Sequence, residues 1–344
     1  MRRHTGTEST RHTCCVVNRF AVNSALASKA YLGVGMRVAV VGSGLIGQAW
    51  AIVFARGGCD VQMWDGDPNA LEAGLAMVRQ QIIALESNGL LSDAVPVADR
   101  INIAISLEQA LDGVVHVQEN LPEKVEVKRE VFARLDALCP AGVVLASSTS
   151  SIPASSFTEM LAGRHRCLVA HPVNPPYLIP VVEICPAPWT DADVAQRTRT
   201  LMAQVGQKPV LVNEEVEGFV LNRLQGALLR EAFRLVERGV ISVEDLDVTV
   251  KDGLGLRWSF MGPFETIDLN APGGLKDYCD RYGPMYQRMS LEQTSTQPWS
   301  ESLVQNLDQE RRSILPASAL AERRVWRDER LMALMGHKAG AKQD

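Results

Sequence analysis

From residue 37 onward, apolar and polar positions alternate between two rhythms. Short apolar runs without polar alternation, residues 38–41 first among them, predict strands covered on both faces. Longer stretches with apolar residues three and four apart predict amphipathic helices, as over 68–87, 123–138 and near 191–205. Further strands are predicted at 101–105, 114–118, 143–146, 166–170, 181–185 and 208–212. Repetition of strand and helix predicts a Rossmann-type, mostly parallel α/β sheet domain over residues 36–213. The rhythm changes after Asn213. From Gly218 the periodicity is helical almost throughout, beginning with GFVLNRLQGALLREAFRLVERG, whose Gly239 is a natural stop, and ending in a helix over 317–336 that mixes Arg and Glu with Trp326. An all-helical C-terminal domain over 214–344 is predicted, with apolar faces extensive enough to imply a homodimer.

The stretch RVAVVGSGLIGQAWAIVFARGGCDVQMWD, residues 37–65, compresses a buried strand, a glycine turn, a helix and a second strand into one unit. Gly42, Gly44 and Gly47 stand at GxGxxG spacing. The first permits a tight turn, the second lets the backbone approach a pyrophosphate, and the third lets the helix lie close to the strand. The helix start offers free amides to phosphates. Asp65 closes the second strand where a carboxylate accepts ribose hydroxyls, and Gly66 rather than a basic residue follows it, so the expected cofactor is NAD and not NADP.

Composition narrows the partners. The 344 residues are 46% hydrophobic and 22% charged, enough for two domains with their own cores, and no apolar run approaches the roughly 20 residues of a membrane span. A formal charge of -5 without a basic block argues against nucleic acid and anionic membranes and for a small-molecule site. The seven cysteines lack CxxC spacing, which predicts no metal centre, no disulfides and a reducing, cytoplasmic setting. Residues 1–35 hold a single acid, Glu8, and are expected to be an extension outside the fold.

Candidate chemistry collects at strand ends. ASSTSS, residues 146–151, follows a buried strand, and any one of its hydroxyls suits a cap for the helix expected from about Pro153 better than it suits a catalyst. The next strand ends in AHPVNPP, where prolines make a rigid loop around His171 and Asn174. Glu183 lies twelve residues beyond His171 on the neighbouring predicted strand, and Asn222 in the first helix of the second domain.

These residues carry a resemblance. Through VVGSGLIG, Asp65, QENLPEKVEVK (118–128), SSTSSIP, HPVNPP, VVEI and GFVLNRL, residues 37–282, and more loosely those up to 332, resemble the 3-hydroxyacyl-CoA dehydrogenase superfamily. The resemblance implies NAD-dependent oxidation of a secondary alcohol, with Ser150, His171, Glu183 and Asn222 at the reacting carbon. It further implies that Leu45, Ile46, Asp65, Glu119 and Lys124 join the glycines in holding NAD. Acyl-CoA members carry lysines in the helical region after the second strand, whereas residues 69–89 here have Arg79 as their only base. That departure favours a small hydroxy acid such as L-gulonate. Arg257 is then a candidate grip for a substrate carboxylate, Asn174 a second substrate contact, and a surface arginine at a helix end the plain alternative for Arg257. 3-Hydroxybutyryl-CoA, L-carnitine and a non-catalytic NADH-binding role remain open at this level.

Overall fold

The computed structural model describes residues 35–340; the expected N-terminal extension lies outside them except for Gly35. Eight strands, β1 (Arg37–Val41), β2 (Asp60–Trp64), β3 (Ile101–Ile103), β4 (His116–Glu119), β5 (Val144–Ser147), β6 (Cys167–Pro172), β7 (Val181–Pro186) and β8 (Lys208–Leu211), form one sheet in the order β3-β2-β1-β4-β5-β6-β7-β8. Every pairing is parallel except β6 with β7. The reason lies in the connection: residues 173–180 are too few for a crossover, which needs a dozen or more, so the chain can only turn back.

Helices α1 (Leu45–Arg56), α2 (Pro68–Ser87), α3 (Val95–Ala98), α4 (Leu107–Leu111), α5 (Val125–Leu138), α6 (Ser155–Thr158) and α7 (Ala192–Gln204) are interleaved with the strands. Local chemistry sets their starts. The Asp67 side chain accepts from the Asn69 amide ahead of α2, with Pro68 in the first turn, and Ser106 does the same for α4 through the Gln109 amide. Residues 49–55 of α1 are all buried, which suits a helix pressed between the sheet and α2. The helix expected after Pro153 is only the four residues of α6.

Two apolar cores cover the two sheet faces. One gathers Trp50, Phe54, Met63, Ile82 and Met202, the other Phe132, Leu135, Leu145, Phe157 and Phe219. Beyond β8 the described chain is helical: α8 (Leu221–Glu237), α9 (Val243–Val248), a π-helical stretch (Thr249–Leu254), α10 (Gly255–Trp258), α11 (Pro263–Asp268), α12 (Gly274–Glu292), α13 (Glu301–Ile314) and α14 (Leu320–Gly340). The closing helix is docked, since Met332 of α14 is buried in the first core.

Candidate active site and cofactor cleft

The sheet order reverses direction between β1 and β4, and the crevice beyond their carboxyl ends is where ligands bind in such folds. Gly42 leaves β1 with φ 97°, and a Cβ there would stand 2.9 Å from the Asn120 carbonyl carbon in the loop after β4. A Cβ at Gly47 would overlap the Gly42 carbonyl oxygen, so the helix lies against the turn itself. At Gly44, by contrast, a Cβ would meet nothing within 4 Å. Gly44 is exposed, begins α1 without a side-chain cap, and is followed by exposed Leu45 and half-buried Ile46. Open space in front of uncapped helix amides fits the pyrophosphate of a dinucleotide. Asp65 braces this turn: Oδ2 accepts from the Ser43 amide at 2.7 Å and its hydroxyl at 2.9 Å, and Oδ1 from the Asp67 amide at 3.0 Å. Ser43 was not singled out from sequence, although it lies inside the glycine motif.

The end of β4 and the loop after it carry two further cofactor candidates, Glu119 and Lys124. Glu119 is fully buried, and its side chain faces inward: Lys128 Nζ lies 3.2 and 3.1 Å from its two oxygens, Ser147 Oγ donates at 2.5 Å and the Leu121 amide at 2.6 Å. Burial pushes the Glu119 carboxyl up, opposed by the Lys128 ammonium and the Ser147 hydroxyl. With both oxygens committed to these partners, the side chain braces the loop that follows β4. Lys124 is exposed and starts α5. Glu123, unassigned in the sequence reading, grips the serine loop instead. Its Oε1 accepts from Thr149 Oγ1 at 2.6 Å, the Ser150 amide at 2.9 Å, and the Ser151 amide and hydroxyl at 3.0 and 3.1 Å. Partial burial would raise the Glu123 carboxyl, but the Thr149 hydroxyl, the Lys128 charge and the two amides outweigh it and hold it below its ordinary value. The sequence marks Glu123 only as a carboxylate at the start of a predicted helix, with no local sign of the loop it grips.

The antiparallel turn of β7 onto β6 sets His171 directly opposite Glu183. Both are buried, and His171 Nδ1 lies 2.9 Å from Glu183 Oε2. Glu183 Oε1 accepts from the Val220 and Leu221 amides, each at 2.9 Å, so the same carboxylate holds the imidazole and the start of α8. Burial works to raise the Glu183 carboxyl; the hydrogen bonds from His171, Leu221 and Val220 more than compensate and leave it lowered. Asn222 follows on α8 and donates through Nδ2 to the Ser150 carbonyl at 2.7 Å. Ser150 itself is exposed. Contacts thus join Ser150, Asn222, Glu183 and His171 in one cluster across the domain junction.

The two proposed substrate residues stand differently. Asn174 is exposed just beyond β6, joined to Pro175 by a cis peptide bond. Arg257 is exposed on α10, and its described neighbour is Tyr278 of α12, whose phenol is pushed up to about 12 by its hydrogen bond with Tyr286, with the Arg257 charge opposing. No described contact links Arg257 to the His171 cluster. A cavity of about 520 Å³ lined by Phe233, Arg234 and Trp299 also lies outside it. The site is therefore marked by converging polar groups rather than by cavity size.

Comparison with known proteins gives this geometry a family. Residues 37–216 match the 3-hydroxyacyl-CoA dehydrogenase NAD binding domain, and residues 218–314 the 3-hydroxyacyl-CoA dehydrogenase C-terminal domain. Lambda-crystallin of Oryctolagus cuniculus is 43% identical over 302 residues, covering 86% of this chain and 94% of that protein. The L-carnitine dehydrogenase of Streptomyces griseus is 39% identical over 79% of this chain and 78% of its own. Among solved structures, an NAD+-dependent 5-formyl-3-hydroxy-2-methylpyridine 4-carboxylic acid 5-dehydrogenase superposes with a TM-score of 0.76 at 27% identity, covering 89% of this chain and 99% of that one. Matched through both domains, with a cofactor turn shaped for a pyrophosphate, the chain belongs to the 3-hydroxyacyl-CoA dehydrogenase family and is an NAD-dependent dehydrogenase.

Proposed function

We propose that the chain oxidises the C3 hydroxyl of a small hydroxy acid, with L-gulonate to 3-dehydro-L-gulonate as the leading reaction and His171 as general base. The observation that carries this reading is the buried His171–Glu183 pair beside Ser150 and Asn222. Oxidising a secondary alcohol requires removal of the hydroxyl proton while hydride leaves carbon, and an imidazole suits the first task. Bound NAD supplies the hydride acceptor. With Nδ1 committed to Glu183, Nε2 is the ring nitrogen left to take the proton, and the carboxylate stabilises the imidazolium that forms. At about 4 Å and an effective dielectric near 20, such a pair contributes up to about 4 kcal/mol before desolvation. Ser150 and Asn222 donate hydrogen bonds to the substrate oxygen as it becomes a carbonyl, each worth about 10²- to 10³-fold in rate. The turn glycines with Leu45 and Ile46 hold the pyrophosphate, and Asp65, whose oxygens already anchor Ser43 and Asp67, takes the adenosine ribose.

A free acid rather than a thioester is supported by Arg79 as the only base across residues 69–89. Arg257, with Asn174, is our choice for gripping the substrate carboxylate. L-Carnitine, also a 3-hydroxy acid, is a second reading, favoured by the 39% identity to a carnitine dehydrogenase. We further propose a homodimer formed through the helical domain, and a cytoplasmic location on the scattered cysteines.

NADH formation at alkaline pH with L-gulonate, L-3-hydroxybutyrate and L-carnitine, and the reverse reaction with acetoacetyl-CoA, tests the reading. Preference for L-gulonate or a related free acid supports it, and preference for acetoacetyl-CoA ends it. His171→Gln is expected to lower turnover by at least about 10²-fold while NADH still binds, and turnover near that of the parent removes His171 from the mechanism. Arg257→Met is expected to raise KM for the acid; an unchanged KM ends that assignment.

A further inference from the structure

Among the described residues, Phe219 alone of the non-glycines has a positive φ, 49°, directly after Gly218 at φ 75°. A side chain in this left-handed region crowds its own backbone, which glycine avoids. Phe219 is nevertheless fully buried, and its ring centroid lies 5.5 Å from that of His171, with the planes inclined at 43°. The turn is closed behind it by the Phe219 amide donating to Val216, and the next two amides, of Val220 and Leu221, donate to Glu183. One turn therefore braces both supports of the imidazole: its amides hold the Glu183 carboxylate that meets Nδ1, and its aromatic ring lies against the imidazole.

We propose that Phe219 is a positioning residue for proton transfer. Its ring keeps the imidazole in the plane where Nδ1 meets Glu183 and excludes water from the contacted face. The unfavourable backbone conformation is the cost of presenting the ring there, and strain of this kind gathers where surrounding structure over-determines it. Removing the ring leaves the imidazole anchored through a single hydrogen bond about which it can rotate, and a misplacement of about 1 Å in a reacting group can cost about 10²-fold in rate. This inference rests on His171 being the base, so the His171→Gln variant is run alongside.

Phe219→Gly and Phe219→Ala separate ring from backbone, because both lose the ring while only glycine relieves the turn. Phe219→Leu restores bulk if either of them folds poorly. For each variant, kcat and KM, the NADH Kd by fluorescence titration, the melting temperature and the imidazole ¹⁵N signals of His171 are measured. The expected result is a fall in kcat of about tenfold or more in both the glycine and alanine variants, with NADH Kd within about twofold of the parent and partial recovery with leucine. The His171 signals are expected to lose their single tautomer in step with kcat. The inference is overturned if the folded glycine variant keeps parental kcat, or if the losses follow melting temperature alone while the His171 signals stay unchanged. Loss of turnover in His171→Gln with parental kcat in Phe219→Gly rejects Phe219 and leaves the base standing. Parental turnover in His171→Gln rejects the base itself.

Discussion

Gln118 stands in a buried chain of hydrogen bonds whose directions are all fixed by chemistry. Its Nε2 donates to Ser148 Oγ at 2.7 Å and to the Ala170 carbonyl at 3.2 Å, so its Oε1 must accept, and the donor is His116 Nε2 at 3.0 Å. Ser148 Oγ also accepts from Trp50 and passes its own proton to Asn120 Oδ1, beside the glycine turn. His116 is therefore the Nε2–H tautomer, and its buried Nδ1 has no partner among the described residues. Burial lowers its pKa from 6.5 to about 4, with the Gln118 hydrogen bond opposing. The unfolded chain thus takes up a proton near pH 6.5 that the native state refuses until about pH 4. Stability rises with pH across that window and is lost as pH falls through it, at about 1.4 kcal/mol per unit. The lowered carboxyls of Glu123 and Glu183 act lower, below their ordinary 4.5. Urea midpoints from pH 6.5 down to 5 should show the parent losing about 2 kcal/mol more than His116→Gln. Equal losses would mean that His116 is not the acid-sensitive group.

Among the elements, α5 and β4 show how far the sequence could be read. The helix itself was legible from its periodicity, which predicted 123–138 against an observed Val125–Leu138. What its polar residues face was not. All four residues of β4 are buried, so no polar face marked which way Glu119 points, and its partner Lys128 lies nine positions on, across the loop. Likewise the serine loop gripped by Glu123 is more than 25 residues away in sequence, a distance over which local pattern carries no signal. His171 and Glu183 were easier, because a strand end beside prolines is a chemical marker, although repeated strand and helix predicted parallel strands and hid the antiparallel pairing that sets them opposite each other. The Glu119–Lys128 pair makes a prediction at this scale. Replacing Lys128 by Met strands a buried carboxylate, which costs about 3–5 kcal/mol in urea unfolding, whereas adding Glu119→Gln removes the uncompensated charge and should recover a large part of the loss. Additive losses in the double variant would show that the two groups do not depend on each other.

At the scale of the whole molecule, the helical domain shows, among the described residues, no core of its own to match that of the sheet domain. None of the 19 residues of α12 is buried, and Tyr282, Met285, Tyr286 and Met289 lie exposed along it, with Leu256, Phe260, Phe264 and Leu269 exposed on the elements just before. Monomeric proteins rarely leave contiguous apolar patches larger than a few hundred Å² in water, and each large side chain buried is worth about 1.5–3 kcal/mol. What ties this domain back to the sheet includes α14, through Met332 in the first core and Lys338 donating to the Ser259 carbonyl. A second copy of the chain would cover the exposed face, and a twofold interface would use the same patch on both subunits, so each substitution there acts twice. Sedimentation should accordingly give twice the mass of one chain, with a melting temperature that rises with protein concentration, because association stabilises only folded chains. Phe264→Glu should yield a lighter, less stable species. A single-chain mass at micromolar concentration, with melting independent of concentration, would show that the apolar face stays in water and that the helical domain is held by its own packing and α14.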